Sequence, residues 1–362
     1  MTDVTTNKKH GSGGLKAQLF GEDANIVQIL LEGRAFFALI AIILIFSILS
    51  DNYFSLPNFL IMTSQVAVFG LLAIGMLLVI LSGGIDLSVG STLALCGVFA
   101  GFLMQGVELE ALGVILYMPV WAVVVCTLAM GAFVGIVNGV LVAYFKVPAF
   151  VATLGSLYVA RGVALLMTNG LTFNNLSGNA EHGNTGFEWL GFYRLWGIPI
   201  SIFVLAAVAI GAHLLLSRTA FGRWLYSVGG NAKAAELSGV PVKNVLIWVY
   251  VLSGLCAAVA GLVLSSQLTS AGPTAGTTYE LTAIAAVVVG GASLMGGRGT
   301  VQGTLLGAFV IVFLGAGLVI VGVSSYWQTV FTGSVIVLAV MLTSIQSGGK
   351  GRKTCPHPVS RF

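Results

Sequence analysis

Ten long apolar runs partition this chain, at about 35–50, 59–81, 87–105, 119–143, 149–168, 198–216, 245–267, 279–296, 301–322 and 327–345. Most approach the ~20 residues that a helix needs to cross the hydrocarbon of a bilayer. Lipid offers no hydrogen-bond partners, so each run must satisfy its own backbone, and a helix does so within one segment. The runs at 87–105, 149–168 and 279–296 are short or interrupted by glycine, which predicts tilted or re-entrant segments there. The expected architecture is an all-α integral membrane protein, a polytopic bundle of about ten transmembrane helices, some short or broken.

Composition closes off the alternatives. Of 362 residues only 16 are Lys or Arg and 12 are Asp or Glu, which is 8 % charged. A soluble domain carries roughly 25 %. A hydrophobic share of 57 % and a mean hydropathy of +1.01 exclude a disordered chain. The 48 glycines lack the three-residue period of collagen. The net charge of +4 gathers into no dense basic patch, so the expected surroundings are membrane lipid and not nucleic acid. Cys96, Cys126 and Cys256 fall in apolar runs and Cys355 near the C-terminus; none forms a CxxC pair.

Charge placement orients the bundle. With the N-terminus cytoplasmic, 14 of the 16 basic residues fall in inner segments, Arg194 alone falls outside, and Arg161 lies within a run. That asymmetry follows the positive-inside rule and predicts an even number of spans with both termini cytoplasmic. Residues 1–34 lack the features of a secretory signal and read as a cytoplasmic arm. Residues 35–345 form the transmembrane domain, with an outer loop at 169–197 and an inner loop at 217–244, and 346–362 form a cytoplasmic tail. One internal echo occurs: Gly83-Gly84…Gly90-Ser91…Leu93 matches Gly296-Gly297…Gly303-Thr304…Leu306.

Catalytic signatures are missing. There is no GxxxxGK[ST], no HExxH and no Cys/His spacing for zinc, and His10, His182, His213 and His357 are scattered. No catalytic residue and no metal site is expected, so the chain does not read as an enzyme. Ionisable groups inside a bilayer are costly and draw attention. Asp86 and Glu280 lie near span ends and read first as helix-capping carboxylates, with a transport role as the other reading of Asp86. Arg161 reads as structurally paired or snorkelling. A proton or sodium relay needs more buried carboxylates or histidines than these. Neutral hydrogen-bonding groups are better represented: Gln65, Ser91, Asn138, Thr153 and Gln267 are candidates to line a path for an uncharged, hydroxyl-rich solute, and each can instead be interhelical glue. Gly131 and Gly135, at small-xxx-small spacing, predict close helix packing.

The inner loop is the most informative segment. Asn231 is a good N-cap, Ala232–Ser238 favours helix, Gly239 suits a C-terminal left-handed turn, and Pro241 blocks continuation. A two-turn helix is unstable alone and must dock. Its face, with Ala234, Ala235, Glu236 and Ser238, is too slight to bury in lipid and fits a groove on a protein partner.

At this loop the chain resembles the membrane subunits of binding-protein-dependent ABC sugar importers, most of all the ribose/xylose/arabinose branch. The matching stretches are Gly229–Gly239, Ser270–Gly299, Ser82–Ser91 and Val137–Gly155, and the likeness covers about residues 35–345. The resemblance implies a permease of the bacterial inner membrane that forms a homodimer. It also implies two partners, a cytoplasmic ABC ATPase subunit that carries ATP and Mg, and a periplasmic sugar-binding protein. No cofactor is then bound by this chain, and Asn231–Gly239 is the coupling helix seated in the ATPase. The implied cargo is a monosaccharide, a pentose such as ribose or a related polyol. The alternative is a stand-alone carrier or channel for small neutral polar solutes.

Overall fold

The computed structural model describes residues 34–109 and 113–324, with scattered positions between 326 and 341. Nine of the ten apolar runs are helical among these residues. They are α1 (Arg34–Leu49), α2 (Leu56–Leu81), α3 (Val89–Gln105), α4 (Val120–Ala143) and α5 (Ala149–Thr168), then α7 (Ile200–Arg218), α9 (Val242–Leu268), α10 (Tyr279–Val289) and α11 (Val301–Ile320). Between them lie the short α6 (Trp189–Phe192) and α8 (Ala220–Leu237). The run at 327–345, the arm before Arg34 and the tail at 346–362 lie largely or wholly outside the described residues.

Six of these helices, α2, α4, α5, α7, α9 and α11, are long and apolar enough to cross a membrane, and α1, α3 and α10 are shorter. Against the expectation of about ten spans, the described residues hold six helices of full length and three shorter apolar ones, which leaves the count of ten unconfirmed. The breaks follow the sequence. Pro119, Pro148, Pro199 and Pro241 each stand just ahead of a helix, where a missing N–H costs nothing. α10 stops at Val289 because Gly290 and Gly291 carry the chain into a turn that ends only at Thr300, whose hydroxyl accepts from the Gly303 N–H at 3.1 Å and caps α11.

α2 is the axis. It packs against α7, α9, α10 and α11, and every residue from Val66 to Leu81 except Phe69 is buried. α4 lies along α9, and a Cβ on Gly131, Gly135 or Gly139 would strike the backbone of Gly254, Tyr250–Val251 or Ile247. The predicted small-residue seam is therefore a backbone-to-backbone contact.

Three two-stranded pairs decorate the end opposite α8. β1 (Val107–Leu109) pairs with β2 (Val114–Leu116), β3 (Phe173–Asn174) with β6 (Ser270–Ala271), and β4 (Arg194–Leu195) with β5 (Ile198–Pro199), all antiparallel. Asn184 Nδ2 donates to the Met104 carbonyl at 2.9 Å, and Tyr117 stacks on His182 at 3.8 Å. The loop 169–197 is therefore fastened to both of its neighbouring connections.

Candidate functional site

At one end of the bundle, α8 is two pieces. Asn231 has φ −161° and ψ 100°, which interrupts the helix, and its Oδ1 accepts from the Ala234 N–H at 3.0 Å. Residues 232–237 form the second piece. The chain leaves it through Gly239 at φ +83°, with Val240 N–H donating to Ala235 O and Gly239 N–H to Glu236 O, each at 3.0 Å. The Ser238 hydroxyl donates to Ala234 O at 2.9 Å. The capped two-turn segment expected from the sequence is present.

Its faces differ from expectation at one position. Asn231, Ala234, Glu236, Ser238 and Gly239 are exposed, but Ala235 is only 5 % exposed. Ala235 joins Leu225 and Val228 in the main core, so it holds the segment to the bundle and is not on the free face. Leu237, which the sequence reading passed over, is 84 % exposed and is the large apolar group of that face. A cleft of about 270 Å³ opens beside it, lined by Tyr144, Glu236, Pro241 and Lys243, with Lys243 Nζ 5.0 Å from the Tyr144 ring centroid.

The first piece of α8 is bolted to the bundle. Burial pushes the Tyr226 phenol above its ordinary range, so it stays protonated and donates to the Gly299 carbonyl at 2.8 Å. Gly297 N–H donates to the Leu81 carbonyl at 3.0 Å.

Between the two ends lies a buried polar knot. Asp86 Oδ1 accepts from the Ser88 N–H at 2.9 Å and the Ser88 hydroxyl at 2.6 Å, and Oδ2 accepts from the Ser253 hydroxyl at 2.9 Å. Asn138 Nδ2 donates to Ser88 Oγ at 2.9 Å, and Ser156 Oγ donates to Asn138 Oδ1. Thr153 Oγ1 donates to Ile85 O at 3.1 Å, and Ser91 Oγ to Ser88 O at 2.9 Å. Asp86 thus closes the turn into α3 through Ser88, whose own side chain makes no cap bond. Ser91, Asn138 and Thr153 are all buried here: Asn138 and Thr153 bond across to other elements, and Ser91 bonds within the first turn of α3.

Arg161 Nη1 donates to the carbonyls of Pro273 at 2.6 Å and Ala275 at 2.7 Å, with Glu280 near enough to act on it electrostatically. Its partners are backbone oxygens of the segment entering α10. Glu280 stands in the first turn of α10, where a carboxylate suits the helix dipole, and Oε2 is buried against Gly90 without a hydrogen bond.

The end opposite α8 holds two clefts. One, of about 300 Å³, is lined by Ser64, Gln65, Gln267, Arg194, Gly191 and Pro199 among others. Gln267 Nε2 donates to Ser64 Oγ at 2.9 Å, which lies 3.0 Å from Ser201 Oγ. The other, of about 420 Å³, is lined by Asn58, Gln65, Phe69, Thr282 and apolar residues of α11. Gln65 borders both, and among the described residues it makes no hydrogen bond of its own. Asn58 and Thr282 escaped sequence analysis because nothing local distinguishes them from other polar residues near span ends.

A multi-helix membrane domain with a capped short segment at one end and polar clefts at the other has the build of a transport permease. Family comparison gives the particular case: the chain belongs to the family described as branched-chain amino acid transport system / permease component, whose profile matches residues 58–340. It is 44 % identical over 313 residues to the ribose import permease protein RbsC of Escherichia coli (strain K12), covering 86 % of this chain and 94 % of that one. Identity to the RbsC of Bacillus subtilis (strain 168) is 43 % over 308 residues, covering 85 % and 91 %. Identity to the xylose transport system permease protein XylH of Escherichia coli (strain K12) is 34 % over an aligned length of 362, covering 85 % and 90 %. No solved structure matches the chain at a significant level.

Proposed function

We propose that this chain is the permease subunit of an ATP-driven importer for a pentose, ribose in the first instance. The observation that carries the reading is the inner segment 231–239, an N-capped, C-capped two-turn helix whose exposed face ends in Leu237. Such a helix needs a partner groove, and ATP-driven transport through a sequence with no GxxxxGK[ST] motif places the ATPase on that partner. The partner is an ABC ATPase subunit, which holds ATP and Mg. A periplasmic sugar-binding protein delivers solute to the outer end, and two permease copies form the channel, with both termini cytoplasmic. The ribose and xylose import names of the relatives support the sugar class.

The solute path begins at the outer clefts. Gln65 and Gln267 carry amide donors and acceptors, Ser64 adds a hydroxyl and Arg194 a cationic donor, so the walls match the many hydroxyl oxygens of a sugar. ATP-driven displacement of the inner segments then turns the bundle from outward-facing to inward-facing.

The test is uptake of labelled ribose into proteoliposomes containing the permease, its ATPase and its binding protein. Uptake should require all three components and ATP. Concentrative uptake by this chain alone would instead make it a stand-alone carrier.

A further inference from the structure

We propose that Gly229 and Tyr226 are positioning residues for transport: they fuse the inner segment, the inner end of α2 and the turn between α10 and α11 into one moving body. The proposal rests on reading 231–239 as the coupling helix.

Three stretches of backbone meet here with no side chains between them. A Cβ on Gly229 would collide with the Leu81 carbonyl oxygen and lie 2.5 Å from the Gly297 nitrogen. A Cβ on Gly296 would lie 2.8 Å from the Gly229 carbonyl oxygen and 3.0 Å from the Gly83 nitrogen. Gly297 N–H donates to Leu81 O at 3.0 Å, and Tyr226 Oη donates to Gly299 O at 2.8 Å. The glycine pairs of the internal echo, Gly83-Gly84 and Gly296-Gly297, thus come together, with α8 wedged against them.

The consequence is a lever. Leu81 is the last residue of α2, and Gln65 lies 16 residues before it, about 24 Å along a helix rising ~1.5 Å per residue. α2 is enclosed over that length, so it moves as a rod. A displacement of the inner segment, clamped at Ala235 on one side of the break and at Gly229 on the other, reaches the outer clefts through α2. The turn at 290–300 carries the same push into α11, which lines the larger cleft.

The experiment compares Gly229→Ala, Gly230→Ala and Tyr226→Phe in the full importer, reconstituted with its ATPase and binding protein. It reads sugar imported per ATP hydrolysed. Helix propensity alone favours both alanines equally. A Cβ on Gly230, however, meets nothing within 4 Å. The expected result is that Gly229→Ala assembles and hydrolyses ATP but imports at least tenfold less sugar per ATP. Gly230→Ala should stay within twofold of the wild type, and Tyr226→Phe, which keeps the ring and loses one hydrogen bond, should lose at least threefold. Wild-type stoichiometry in both Gly229→Ala and Tyr226→Phe overturns the proposal, as does an equal loss in Gly230→Ala. If Gly229→Ala does not insert, Tyr226→Phe decides alone. Failure of the coupling-helix reading has a separate signature, because it would leave ATPase binding unchanged in Leu237→Ala.

Discussion

Leu237→Ala tests the proposed docking face apart from the folded bundle. The Leu237 side chain is 84 % exposed, so shortening it removes little from the permease itself. If a groove on the ATPase encloses it, the three carbons lost are worth about 0.8 kcal/mol each. Scaled by the exposure available for burial, the loss is about 2 kcal/mol, or roughly 30-fold in affinity. Ala235→Glu is the counter-perturbation. Ala235 is 5 % exposed among core side chains, so glutamate there buries an unpaired charge at a cost of several kcal/mol to the permease with no ATPase present. The assay is ATPase binding by the purified permease, measured alongside its thermal unfolding. Leu237→Ala should bind weakly and unfold like wild type, whereas Ala235→Glu should unfold early. Wild-type affinity in Leu237→Ala, or an undisturbed melting temperature in Ala235→Glu, would refute the assignment of the two faces.

Further outcomes are expected elsewhere. Gly135→Leu forces α4 off α9, because a Cβ there already meets the Tyr250 carbonyl; overpacking of this kind costs about 1–3 kcal/mol and should lower the melting temperature, whereas Gly155→Leu, with open space around it, should not. Asp86→Ala strands the Ser88 N–H and the Ser253 hydroxyl, each buried donor costing about 1–3 kcal/mol, and Asp86→Asn should recover part of that loss in the same melt. Gln65→Leu should raise the sugar concentration needed for half-maximal uptake several-fold and leave ATPase binding intact, since Gln65 has no internal partner to lose; unchanged uptake would remove it from the path.

Local rules made much of this architecture readable. Long apolar runs became helices, prolines marked their starts, and the cap at Asn231 with the turn at Gly239 is a matter of neighbours within a few residues. The face of the inner segment was not readable, because two turns hold too few residues to show a period, and Ala234 and Ala235 are chemically identical. The same limit applies to the polar residues. Gln65 and Asn138 are both amides in apolar runs, yet one borders two clefts and the other is tied into the knot around Asp86. What separates them is contact across the chain, such as Ser253 reaching Asp86 over 167 positions, and no local pattern encodes that. The two-residue strands at the end opposite α8 are likewise too short to leave an alternation.

The enclosure of α2 changes what the bilayer can do to this protein. Along residues 70–81 the helix is buried by the rest of the chain, so it has no lipid neighbours to read. Differences in acyl-chain length or fluidity act on the outer ring, above all on α4 and α5, where 22 % of the spanning window is buried. Any tuning of this protein to a thicker or thinner membrane therefore falls on those peripheral helices, while the axis answers to volume alone.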